Sequence, residues 1–250
     1  MPSWNIHTAH VERLLSQRTP DELGIEDVNA FLFGNYVPDI HLGFMVPNTT
    51  YRIDYCVTHI ARPSMIPLPD ADRFWDDCVA RRRPKDAVGA SLALGAWAHL
   101  FADRAYNAAF RKFCATRDVP EGEQLRLCKQ ADFDRFGHAL AITSRVEVAP
   151  ELLEAAHRFR PYEIHEADVV RAVAVANGIV DQAAAPLDGG VYQLLDRDWM
   201  SGTFDACDGR MTRWLEAWRR LEVRGGAVMA ADVRAEAGLD DGWAAGEAVS

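Results

Sequence analysis

Ala87-Val-Gly-Ala-Ser-Leu-Ala-Leu-Gly-Ala-Trp-Ala-His-Leu-Phe-Ala-Asp103 is the stretch that decides the fold. Ala87 to Leu100 is apolar on almost every side at helical spacing, and a helix of that kind belongs in the centre of a bundle. The pattern predicts a helix from Asp86 to about Thr116. His99 and Asp103 stand four residues apart within it, so they project from one face about a turn apart. A histidine and a carboxylate on a buried helix must be paired with each other or with a metal, because an unpaired buried charge is too costly. Taken alone, the pair reads equally as a hydrogen-bonded couple in the core.

On either side of this helix, apolar residues recur with period 3.6, and clean alternation is hard to find. Ile6, Ala9, Leu14 and Leu15 predict a first helix ending before Thr19-Pro20. Val28 to Tyr36 predicts a second, stopped by Pro38. Residues 40–69 read as a long connection, and Asp70 can cap a helix bearing Phe74, Trp75 and Cys78. Further helices are expected at about 121–145, 150–159, 165–185 and 203–222, with Tyr192-Gln-Leu-Leu as a short extended segment. Trp97, Trp199, Trp214 and Trp218 read as core. The expectation is an all-α, multi-helix bundle. One domain would span 1–225, and the Ala-, Gly- and Asp-rich residues 226–250 would form a frayed tail or weak helix.

The chain has 250 residues, 49% of them hydrophobic, enough for one full core. Its 37 acidic and 27 basic side chains give a formal net charge of -10, which argues against general binding to nucleic acid or anionic membranes. Arg81-Arg82-Arg83, the one dense basic run, reads as the solvated end of a helix. Five scattered cysteines without a CxxC suggest reduced thiols. No secretory signal and no membrane span is visible, so the expected location is cytoplasmic.

Beyond the central helix, Phe33-Gly-Asn-Tyr-Val-Pro-Asp39 sets an acid just past a helix end. His7 lies on the first helix, and His59 follows Tyr55-Cys-Val-Thr58. Each is ordinary alone. Together they offer three imidazoles and two carboxylates, a donor set suited to zinc or a similar transition metal.

The segments Met1-Pro-Ser-Trp-Asn-Ile-His7, Phe33 to Asp39, Val57-Thr-His59 and Leu94 to Asp103 occur in an order that resembles bacterial zinc-dependent phospholipase C-like proteins. Their superfamily includes the S1/P1-type nucleases. The likeness covers residues 1 to about 110. It implies a helical fold with a metal cleft between helices and metal ligation by His7, Asp39, His59, His99 and Asp103, with Asp39 as the catalytic carboxylate. It further implies zinc-dependent hydrolysis of phosphoesters, phosphodiesters first. The alternatives are a phosphomonoesterase acting on a soluble metabolite and a non-catalytic domain with a degenerate metal site. The substrate would be a small phosphoester or a lipid headgroup.

Three departures lower the expected metal count to one or two. Trp4 is internal, so it lacks the free amine that binds zinc in secreted members. No histidine follows the His99–Asp103 pair until His138, and the later His-x-x-x-Glu pair is absent. Asp134 and His138, again four apart, are a candidate replacement pair of ligands. His10 and His41 are candidates for supporting roles, and His157 and His165 for surface helices.

Overall fold

In the computed structural model, residues 2–184, 190–223 and 226–239 are described; they hold eleven helices and no strand. The all-α expectation holds. The apolar segment forms α6, Ala87–Thr116, 30 residues and about 45 Å long. Asp86 caps its start by accepting a 2.8 Å hydrogen bond from Gly89 N.

α2, Val28–Gly34, lies directly on α6. A methyl group on Gly95 would stand 2.1 Å from the Phe31 carbonyl oxygen, and one on Gly34 would stand 2.3 Å from that of Leu92. Backbone therefore touches backbone, and only glycine fits at either position. The chain breaks after Gly34, earlier than expected. Pro38 does not stop a helix: it sits in the first turn of α3, Val37–Ile40, where its missing N–H is not needed.

The long connection holds one further turn, α4, Tyr55–Thr58. Three side chains of α6 tie its distal end to the bundle. Arg104, Asn107 and Arg111 donate to the carbonyls of Pro69, Pro67 and Ile66 at 3.0, 2.8 and 2.8 Å. α5, Ala71–Phe74, is capped by Asp70 as expected and runs into a π-helical segment, Trp75–Ala80. Trp75 packs edge-on against Trp97, Trp214 and Trp218, all buried, while Trp199 is half-buried elsewhere against Phe113, with ring centroids 5.9 Å apart. Arg83 is no solvated helix end. It bridges Glu26 and Glu222 and lies 4.9 Å over the Trp218 ring.

The remaining helices are α7 (Gly122–Ala139), α8 (Pro150–His157), α9 (Glu166–Ala183), α10 (Arg197–Glu222) and α11 (Ala230–Glu236). α10 begins six residues earlier than the apolar pattern indicated, because Asp196 caps it through Trp199 N at 2.8 Å. Tyr192 to Leu195 is not a strand. The buried Asp132 carboxylate accepts from the backbone amides of Gln193, Leu194 and Leu195 at 2.7–2.8 Å, which holds the segment on α7. Within the region read as a tail, α11 packs on α10 and α5 with Ala230 and Val233 buried; residues 240–250 lie outside the described set. The cysteines form no disulfide. No described helix is long and apolar enough to cross a membrane.

Candidate metal centre

Four short pieces of chain deliver the five sequence candidates to one place. His7 comes from α1, Trp4–Gln17, on the buried face that also holds Trp4, Val11 and Leu14. Asp39 comes from α3, His59 caps the end of α4, and His99 and Asp103 come from α6. All five side chains are 0–1% exposed. They are enclosed, rather than set along the open cleft that was expected, because the loop carrying α4 closes over α6.

Hydrogen bonds aim each donor. The His99 Nδ1–H donates to the Asn35 carbonyl at 2.7 Å. Thr58 gives its own proton to the Tyr55 carbonyl, so its oxygen accepts the His59 Nδ1–H at 2.8 Å. With Nδ1 the donor in both rings, Nε2 is the lone-pair nitrogen in each. Yet these two Nε2 atoms face each other at 3.2 Å. Only a cation or a shared proton between them relieves that repulsion.

The carboxylates complete the ring. Asp39 Oδ2 accepts the Trp4 indole N–H at 3.0 Å, which turns Oδ1 toward the imidazoles, 3.6 Å from His59 Nε2 and 3.8 Å from His99 Nε2. Asp103 Oδ2 lies 3.3 Å from His59 Nε2 and 3.9 Å from His99 Nε2, while Oδ1 lies 3.4 Å from His7 Nε2. Four donors about 2.1 Å from a zinc ion would be separated by about 3.4 Å along tetrahedral edges. The donor spacings bracket that value. Two groups of donors have ligand atoms within 4.8 Å of one another: Asp39, His59 and His99; and His7, His99 and Asp103.

The unsatisfied atoms tell the same story. His7 Nδ1 and Nε2, Asp39 Oδ1 and Asp103 Oδ1 are buried without a hydrogen-bond partner. Each such atom costs about 1–3 kcal/mol, so orphaned atoms on three residues of one site call for an occupant. No arginine or lysine lies within ion-pair distance of Asp39 or Asp103 among the described residues; the imidazoles are the basic groups beside them. Two carboxylates with three neutral imidazoles match the charge of a divalent cation.

The backbone around His59 is forced. Ile60 has φ 51°, a left-handed conformation that a β-branched residue rarely adopts. It occupies the usual glycine position of a Schellman turn, with Ile60 N bonded to Val57 O at 3.3 Å and Ala61 N to Cys56 O at 3.0 Å. The chain thus reverses immediately after His59, at a cost of about 1 kcal/mol or more. Tyr55 stacks on the His59 ring at 3.8 Å and donates to Asp103 Oδ2 at 3.3 Å. Burial, with the Asp103 and Asp39 charges beside it, raises the Tyr55 hydroxyl well above its usual range, so it remains a donor.

Other candidates stand apart. Asp134 is exposed on α7 and accepts from Gln130 at 2.9 Å; neither it nor His138 belongs to either donor group. The i, i+4 pattern holds for the pair, but their helix does not face the centre. Asn107 follows Asp103 by one turn, but its amide is committed to the Pro67 carbonyl. His10 is buried in a separate network, 3.5 Å from Asp208 and 3.3 Å from the Tyr106 hydroxyl. His41 is buried and stacked on Tyr51. His157 is exposed and His165 half-buried, both beside Glu163. Sequence reasoning missed Trp4, Asn35, Thr58 and Tyr55 as the groups that orient the ligands. Only Trp4 left a signal, one turn before His7 on the same helix face.

Burial, and then the neighbouring His99, lower the His7 pKa from 6.5 to about 3. Burial lowers His10 as well. These rings stay neutral in the fold and bind protons on unfolding, so the stability they contribute is present above pH 6.5 and is lost as pH falls below it, toward about 3 for His7. Metal-free protein should lose about 1.4 kcal/mol per pH unit for each such histidine below pH 6.5. Urea midpoints at pH 7, 6 and 5 measure it; a flat profile would contradict the neutral assignment.

No family model matches this chain, and no match was found among curated proteins or solved structures.

Proposed function

We propose that this chain holds one or two transition-metal ions, zinc first, at His7, Asp39, His59, His99 and Asp103, and uses them to hydrolyse phosphate esters, diesters before monoesters. The observation that carries the metal is the pair of facing Nε2 atoms 3.2 Å apart, beside two carboxylate oxygens with no partner. Hydrolysis is carried by the absence of thiolates from the donor set and by the sequence resemblance to zinc-dependent phospholipase C-like proteins. A bound transition metal supplies Lewis acidity: it polarises a phosphoryl oxygen and makes water acidic enough to attack near neutral pH. The protein's own share is positional. Trp4 fixes Asp39 by one oxygen and leaves Oδ1 facing the two imidazoles, where it would hold the metal and orient its water. Asn35 and Thr58 hold the two imidazoles in one tautomer, and the Tyr55 hydroxyl holds Asp103 by Oδ2. Access would come past α4, a single turn whose Val57 is 63% exposed on its outer side.

Untagged protein should carry zinc or a related metal by elemental analysis and cleave bis(p-nitrophenyl) phosphate. It should cleave phosphatidylcholine vesicles more slowly, since an interfacial enzyme needs an apolar or basic surface to hold it on the bilayer and this chain carries a net charge of -10 with one dense basic run. Both activities should stop on chelation. The 0–1% exposure of every ligand favours one competing reading, a closed structural metal site without turnover. Bound metal with inert diesters and monoesters selects that reading, and metal-free protein whose melting is unmoved by chelators removes both.

A further inference from the structure

A cavity of 210 Å³ opens where the π-helical segment ends, α6 begins and α8 passes into its following loop. It is separate from the metal centre: Leu92 in its wall precedes His99 by seven residues on α6, about 10 Å along the axis. Leu92, Ala93 and Phe159 give it an apolar side, with the Phe159 ring set firmly between Phe74 and Tyr162 at 6.4 and 5.3 Å.

Three arginines line it. Arg158 is neutralised by Glu154 at 3.1 Å and by Asp86 at 3.7 Å. Arg82 and Arg160 have no carboxylate partner among the described residues. Both lie close enough to Cys78, in the cavity wall, to act on it electrostatically, but burial pushes that thiol up to about 11, so it supplies no compensating negative charge. Two unpaired guanidinium groups beside an apolar wall recognise an oxyanion that carries an apolar body.

We propose that this cavity binds a small organic anion, its phosphate or carboxylate group between Arg82 and Arg160 and its apolar part against Leu92, Ala93 and Phe159. The volume equals that of about seven waters. It admits a substituted aromatic acid or a short acyl phosphate.

The test is calorimetric titration of the full chain with phenyl phosphate, benzoate and inorganic phosphate, on protein as purified and after chelation. The chelated arm removes phosphate bound at metal. At least one organic anion should bind in both arms, more tightly than inorganic phosphate, and the tighter of the two names the head group. The double variant Arg82→Gln/Arg160→Gln, altered only at exposed side chains, should weaken binding about tenfold or more. Ala93→Leu, which fills the cavity without touching charge, should do the same, while Arg126→Gln leaves affinity unchanged. Failure of all three probes at millimolar concentration would overturn the site. So would unchanged affinity in the double variant, or inorganic phosphate binding as tightly as the organic anions.

Discussion

His99→Ala is expected to empty the metal centre and to destabilise even the metal-free protein by about 3 kcal/mol or more. The ring is fully buried, donates to the Asn35 carbonyl, and stacks on His7 with centroids 4.0 Å apart. Its removal leaves a cavity and strands a buried carbonyl. It also takes away the one histidine common to both donor groups. Loss of a partner that merely orients a ligand costs 10- to 100-fold in metal affinity, so loss of this ligand should cost more than about a hundredfold. Asp134→Ala and His138→Ala should leave metal content unchanged. Elemental analysis of the untagged variants and denaturant titration with and without chelator read both effects. Full metal content in His99→Ala would end the assignment of α6 as the ligand platform.

Gly95→Ala should be as damaging, although it touches no ligand. The added methyl would lie 2.1 Å from the Phe31 carbonyl oxygen and 2.9 Å from Gly34 Cα, and both are backbone atoms that cannot swing aside. Helix α2 must then move off α6, an overpacking cost of about 3 kcal/mol or more. The shift would carry Asn35 and Asp39 away from His99, so metal binding should weaken together with stability. Gly178→Ala is the control. It lies within α9, a β-carbon there meets nothing within 4 Å, and removing a helical glycine stabilises by about 0.5–1 kcal/mol. Thermal melts of the two variants should move in opposite directions. A melting temperature for Gly95→Ala equal to that of the parent would show that the α2–α6 contact is not close.

The central helix was legible because its signal is local. Continuous apolarity from Ala87 to Leu100 has only one soluble solution, a buried helix, and the i, i+4 spacing of His99 and Asp103 then puts them on one face. Caps were readable where a side chain serves its own turn, as at Asp70, but α10 began at an acid that periodicity does not mark. The stop expected at Pro38 failed because proline is equally at home in a first turn.

The sequence by itself determined the all-helical class and the residue types that meet at the centre. It could not determine which atoms meet. Asp134 and His138 satisfy the same spacing rule as His99 and Asp103, yet only the second pair faces the site, because a helix's rotation about its own axis is set by packing against its neighbours. The tertiary structure alone decided that Trp4 holds Asp39, that Asn35 and Thr58 fix the imidazole tautomers, and that α4 closes the centre. Those contacts span up to 64 residues of chain, and the backbone contact between Gly34 and Gly95 governs the closest of them. Local periodicity fixes which face a side chain occupies; the distance between faces depends on how closely two backbones can approach.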